Sequence, residues 1–106
     1  MPGITLIVRD LHGGDGVTVP LESPILQAAA AALEAEFGRD IAFIRSGGSI
    51  PIAALFSSVL KLPLVMMGFG LADDNVHAPN EKFYIPNYYA AIRSVASFLQ
   101  ILNVEC

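Results

Sequence analysis

From residue 41 onward, short apolar runs alternate with stretches of helical rhythm, and that alternation restricts the fold more than any other feature of the chain. Residues 41–44 (Ile-Ala-Phe-Ile) form a continuous apolar run, the pattern of a strand buried on both faces. Residues 45–49 read as a glycine turn, and residues 50–60 return to helical spacing through Ile52, Leu55, Phe56 and Val59. Lys61-Leu62-Pro63 ends that helix, because proline cannot continue it. Residues 64–67 (Leu-Val-Met-Met) are the next strand candidate. A last helix is predicted over 87–102, with Tyr88, Ile92, Val95, Leu99 and Leu102 on one stripe. Strand, helix, strand, helix in this order predicts parallel strands joined by right-handed crossovers.

The first forty residues extend the same reading. Residues 4–8 (Ile-Thr-Leu-Ile-Val) are β-branched and strand-like, and they run into Arg9, Asp10 and the turn-rich His12-Gly13-Gly14-Asp15-Gly16. Residues 17–21 are expected to be extended, with Pro20 barred from a central ladder position. Ser23-Pro24 then opens a helix, serine at the N-cap and proline where a missing N–H costs nothing. Residues 28–32 are all alanine, Leu26, Leu33 and Phe37 add larger apolar groups, and Gly38 stands at the expected stop. The expected fold is therefore α/β: a partial parallel (mixed) sheet with crossover helices in β-turn-α-β-α-β-α order.

Composition limits the function classes. At 106 residues the chain is one domain or a piece of one. It is 54% hydrophobic and 15% charged, against about 25% charged in an average domain. A surface so short of ions implies that a partner covers part of it or that the chain belongs to something larger. A net charge of −4, with six basic residues scattered singly, argues against nucleic acid as a partner. Cys106 is the only cysteine, so neither a disulfide framework nor a Cys-rich zinc site is expected, and a reducing, cytoplasmic setting is the default. No basic n-region opens the chain, and the longest charge-free run, residues 46–60, is shorter than the roughly 20 apolar residues of a membrane span. A soluble protein without a membrane partner is expected.

Two loops carry the candidate chemistry. In a parallel sheet ligands bind outside the carboxyl ends of the strands, so the turn at 45–49 and the loop at 68–82 should face one crevice. In the first, Gly47 and Gly48 permit close backbone approach, Ser49 can cap a helix, and Arg45 adds a fork suited to a carboxylate. The same residues also make an ordinary glycine turn with a capping serine and a surface arginine. The second loop holds His77, which can ligate metal or move protons, or can be a surface histidine in an Asn/Asp/Pro turn. Asp73, Asp74 and Glu81 can orient its second ring nitrogen, or serve as turn formers and a helix-start charge; Asn75 and Asn80 suit turns. His12 reads as a solvated loop residue, and Tyr84, Tyr88 and Tyr89 as amphipathic packing.

Taken together, Arg45-x-Gly-Gly-Ser-Ile-Pro51 and Gly70-x-x-Asp-Asp-x-x-His-x-x-Asn-Glu-Lys82 resemble the C-terminal signature of the zinc-dependent dipeptidase, carboxypeptidase and aminoacylase superfamily. The likeness is strongest to its carnosinase-like branch, which the 28-residue step from Ser49 to His77 also suits (77 − 49 = 28). It runs from about residue 23 to 102. Residues 1–22 are similar to the end of that family's lid (dimerisation) domain and its return segment, and residues 23–106 to the C-terminal part of the catalytic domain. The resemblance implies that His77 is the last metal-ligand histidine. It implies that Ser49 helps hold the substrate's terminal carboxylate, with Gly47, Gly48 and Arg45 around it. Asp73, Asp74, Asn80 and Glu81 match motif positions and are assigned second-shell or loop-shaping work. His12 does not match the family's lid-domain histidine.

The resemblance also implies what this chain lacks. The first metal histidine, the bridging aspartate, the catalytic glutamate and the remaining carboxylate ligand lie upstream in family members, and nothing here corresponds to them. A catalytic zinc normally has three protein ligands and an open position. The expectation is therefore a C-terminal fragment of a metal-dependent peptidase or amidohydrolase acting on dipeptides or N-acyl amino acids. The parent would hold two divalent ions, zinc by the family's habit, and this chain contains no catalytic residue and is inactive by itself. The rival reading is a non-catalytic α/β binding or assembly module that keeps the peptidase fold. Open sheet edges and uncovered apolar faces would favour a homo-oligomer.

Overall fold

The computed structural model describes residues 3–11, 13–47 and 50–103; the candidate residues His12, Gly48 and Ser49, and Cys106, lie outside the described residues. Three helices organise the chain: α1 (Pro24–Phe37), α2 (Pro51–Leu60) and α3 (Ile85–Ile101). Each begins with a proline in its first turn, where the ring's fixed φ is already helical and no intrahelical donor is lost. α1 stops at Gly38 in the left-handed conformation (φ 64°), whose N–H donates to the Glu34 carbonyl at 2.8 Å. Ser23 takes the N-cap position by backbone alone: its carbonyl accepts from the Gln27 N–H at 3.0 Å, and its hydroxyl makes no capping bond.

The expected α/β sheet is not formed. Among the described residues there is no strand, and residues 4–8, 41–44 and 64–67 run without a ladder between them. Ile44, expected in a strand buried on both faces, is 82% exposed, and Leu6 in the strand-like first run is 83% exposed. The reason is the difference between the two kinds of backbone bonding. A helix closes its own hydrogen bonds four residues apart, whereas a strand has none until another segment lies alongside in register. Apolar, β-branched sequence favours an extended backbone but cannot supply that neighbour.

What does pack is the pair α1 and α3, the only two helices in contact among the described residues. The buried side chains of the two helices are mostly small: Ala29, Ala30 and Ala32 beside Leu33 on α1, and Ala90 and Ser94 on α3. Small residues let two helix backbones lie close, and Glu36 and Arg93 clasp the edge of the pair (Nε to Oε1, 2.7 Å). The predicted α3 stripe is a second correction. Tyr88, Ile92, Val95 and Leu99 stay exposed, while the buried residues of α3, Ala90 and Ser94, lie on the nearly opposite face. Tyr84 and Tyr89 are exposed as well, so the tyrosine cluster does not pack inward; the Tyr88 and Tyr89 rings lie edge to face at 5.6 Å.

α2 has no helical partner among the described residues, and Leu55, Phe56 and Val59 are exposed along it. Its N-terminus touches the 13–16 segment, where a Cβ on Gly14 would come within 3.0 Å of the Pro51 Cα. The chain is consequently open. Its radius of gyration is 18.0 Å and its extents are 62 × 36 × 25 Å, against about 13 Å expected for the radius of a compact domain this long. Its accessible surface of 8837 Å² compares with about 5,700 Å² for a folded monomer of this mass. No helix among the described residues is long and apolar enough to cross a membrane.

Candidate functional site: a self-braced histidine loop beside an open groove

The loop between residue 68 and α3 is braced from within by hydrogen bonds that meet at Asp74. Asp74 is 2% exposed in a stretch whose other members are exposed. Its Oδ2 accepts from the Leu71 N–H at 2.7 Å, and its own N–H donates to the Leu71 carbonyl at 3.1 Å. Its carbonyl accepts from the Lys82 N–H at 3.0 Å, which closes the far side. Oδ2 thus has a hydrogen bond in place of lost hydration, whereas the buried Oδ1 has no hydrogen-bond partner among the described residues. Gly70 leaves room for that carboxylate, since a Cβ there would stand 3.3 Å from Oδ2.

Two further bonds tie this loop to its surroundings. The Lys82 ammonium reaches Asp73 at 2.7 Å and lies 4.0 Å from Asp74 Oδ1. The hydrogen bond to Lys82 holds the Asp73 carboxyl below the usual carboxylate range, and the same bond holds the Lys82 ammonium above the usual lysine range. Asn87 in the first turn of α3 donates its side-chain amide to the Phe69 carbonyl at 2.9 Å. The Phe69 ring in turn sits 6.5 Å from that of Phe37 at the end of α1. The loop is thereby moored to the helix pair at residue 69 and closed on itself at residues 71, 74 and 82.

Residues 75–81 project from that closure. Their internal brace is one bond, the Ala78 N–H to the Asn75 carbonyl at 2.9 Å. Asn75, His77 and Asn80 adopt positive φ of 53°, 61° and 59°. Asparagine accepts this region readily, and histidine does so more often than most residues. His77 is exposed, as are Asn80 and Glu81.

The other candidate loop borders a groove of about 1110 Å³. Arg45 and Gly47 line it together with Gly68, Gly70, Leu71 and Asn87. The structure thus brings Arg45 and Gly47 beside the root of the histidine loop. It does not bring His77, Asp73, Asp74, Asn80 or Glu81 into that groove. The expected crevice at a sheet edge does not form, since the sheet is absent among the described residues; the 45–47 turn and residues 68–71 border one groove, and the histidine stands outside it. α1 supplies the opposite wall through Leu26, Ala30, Leu33 and Phe37.

Among the described residues no three His, Cys, Asp or Glu side chains gather into a group that could hold a metal ion. The donors present do not fit a metal site by themselves, because one exposed imidazole falls short of the three protein ligands that a catalytic zinc requires. The sequence pattern missed two structural residues. It treated Asp73 and Asp74 alike, although Asp74 turns inward and Asp73 outward. It also read Asn87 only as a helix residue. An Asn at a helix start is a common source of side-chain bonds to nearby backbone, and that was the available signal.

A family model described as peptidase family M20/M25/M40 matches residues 5–101. The Cys-Gly metallodipeptidase of Saccharomyces cerevisiae is 37% identical over 73 residues, covering 69% of this chain and 15% of that protein. The Beta-Ala-His dipeptidase of Rattus norvegicus is 35% identical over 76 residues (72% of this chain, 15% of that protein). The Beta-Ala-His dipeptidase of Homo sapiens is 35% identical over 71 residues (67% and 14%). The chain therefore spans about 15% of the length of these curated relatives. No solved structure matches it significantly. With nearly the whole chain under one family model, and relatives above 30% identity covering two thirds of it, this protein belongs to peptidase family M20/M25/M40.

Proposed function

We propose that the chain is the C-terminal portion of a metal-dependent dipeptidase or related amidohydrolase and hydrolyses nothing alone. The observation that carries this reading is the family match over residues 5–101, supported by relatives named as dipeptidases. In it His77 supplies one ligand to a metal, zinc by the family's habit, and the remaining ligands come from polypeptide outside this chain. Arg45, Gly47, Gly48 and Ser49 receive the terminal carboxylate of a dipeptide or N-acyl amino acid, for which arginine's planar fork is suited. Asp73, Asp74, Asn80 and Glu81 shape the loop that presents the histidine. Residues 1–22 belong to the end of a lid domain and residues 23–106 to the catalytic domain. The working location is cytoplasmic, and exposed apolar residues on α2 and α3 favour a homo-oligomer.

The rival reading is a non-catalytic binding or assembly module. The lack of a metal-holding group among the described residues is compatible with both readings, since the first places the remaining ligands outside this chain. One experiment separates the two. The purified chain is assayed for zinc content and dipeptide hydrolysis, alone and co-expressed with the yeast Cys-Gly metallodipeptidase lacking the 73 aligned residues. The proposal expects hydrolysis only in the mixture, and its loss in His77→Ala. Stoichiometric zinc with hydrolysis by the chain alone would refute the inactive-portion reading; a mixture that neither binds zinc nor hydrolyses would favour the assembly module.

A further inference from the structure

We infer that Asp74 is the positioning residue that sets where His77 is presented, which deepens the proposal above and rests on its reading of His77 as the functional group. Residues 75–81 leave and return through a neck at Asp74 and Lys82. There the Asp74 carbonyl accepts from the Lys82 N–H and Asp73 pairs with the Lys82 ammonium. The Asp74 carboxylate fixes the root of that neck on Leu71. Leu71 is held by both the Asp74 carboxylate and its N–H, and Lys82 by the Asp74 carbonyl. Asp74 is buried while His77 is exposed, so the carboxylate acts on the histidine through the backbone, without contact with whatever the imidazole binds.

The backbone at His77 fits this division. Its φ of 61° is a region that a residue with a Cβ occupies at a cost and keeps only where the surroundings over-determine it. The one bond inside the projection, from Ala78 to Asn75, spans three residues and cannot fix the whole excursion. The closure at Asp74 supplies the rest. Gly70 completes the device, because a Cβ there would stand 3.3 Å from Oδ2 and press on the carboxylate that holds Leu71. Asp73 differs: its bond to Lys82 is on the exposed outside of the neck and leaves Leu71 untouched.

The test is nuclear magnetic resonance on the full chain, reading amide exchange at Leu71 and Lys82 and the backbone coupling and shifts that report positive φ at His77. In Asp74→Ala, exchange at the Leu71 amide should rise about tenfold or more, as for loss of a bond to a charged acceptor. The Lys82 amide, whose acceptor is the main-chain carbonyl, should rise less, and the His77 signature should average out. Asp74→Asn keeps an acceptor and should restore both. Gly70→Ala should weaken them with the carboxylate intact, and Asp73→Ala should leave the His77 signature in place. The proposal fails if Asp74→Ala leaves that signature unchanged, if Asp74→Asn disrupts it as fully as alanine, or if Asp73→Ala alone abolishes it. If Asp74→Ala does not fold, Gly70→Ala and Asp74→Asn decide the matter. None of these readouts involves metal or substrate, so the loop device and the peptidase reading fail independently.

Discussion

The helix pair with its moored loop and the region around α2 come from one apolar sequence, yet they reach opposite ends of the packing scale. α1 and α3 bury alanines and a serine against each other, carry a cross-helix ion pair, and anchor residue 69 through Asn87 and Phe37. α2 is equally helical and more apolar, but Leu55, Phe56 and Val59 face outward and no other helix meets it among the described residues. The difference is not hydrophobicity. Elements that close their own hydrogen bonds form wherever the local sequence allows, and they pack only if a complementary face lies within reach. Alanine at the α1–α3 crossing supplies such a face, and the large side chains of α2 need a larger counterpart.

The strongest way to break this contrast is to overfill the tight side. Ala32, fully buried, changed to Leu should cost about 1–3 kcal/mol, the usual penalty for forcing extra methylenes into a packed site, read by urea or thermal unfolding. A loss as small as that at an exposed site would mean the crossing is not close-packed. Next in size is the α1 stop. Gly38→Ala places a Cβ in open space but at φ 64°, so the cost is conformational, about 1 kcal/mol, measured in the same way.

On the open side the expectation reverses. Phe56→Ser with Val59→Ser should change unfolding by no more than about 0.5 kcal/mol in the monomer, since neither side chain is buried. The same pair should shift light scattering toward smaller species, because it removes apolar area available for self-association. Unfolding as costly as that of Ala32→Leu would show that α2 is packed after all.

The smallest effect is electrostatic and belongs to the exposed outside of the loop. Asp73 has its carboxyl held low by Lys82, so its contribution is present above the ordinary carboxylate range and is lost as pH falls through the lowered folded value. Lys82 is held high by Asp73, so its contribution is present below the ordinary lysine range and is lost as pH rises through the raised value. The clasp is therefore complete between those two ranges. Exchange at the Lys82 amide should be slowed most there after correction for intrinsic rates, and Asp73→Asn should flatten the acid limb. Both groups are well exposed, which screens the pair and keeps the effect small.

Legibility followed the range of the interactions. Helix ends were readable to within about two residues, because Pro24, Gly38, Pro51 and Pro63 act on their own turns. The loop motif around His77 was readable as residue types at fixed spacing. Which of two adjacent aspartates turns inward was not, since Asp73 and Asp74 have identical chemistry and differ only in what the folded backbone offers them. The choice of the small face of α3 over the large one was equally hidden, because periodicity shows that a stripe exists and not which surface awaits it.

The sequence by itself determined three helices, their starts and stops, the apolar character of the chain and the family motif that runs through the two loops. Only the tertiary structure decided that the expected sheet is absent among the described residues, that α1 meets α3 on alanine, and that Asp74 closes the histidine loop. A helix or a turn satisfies its polar backbone within a few residues, so local sequence suffices. A strand, a helix crossing or a buried carboxylate depends on groups brought from elsewhere, and their arrival is a property of the fold.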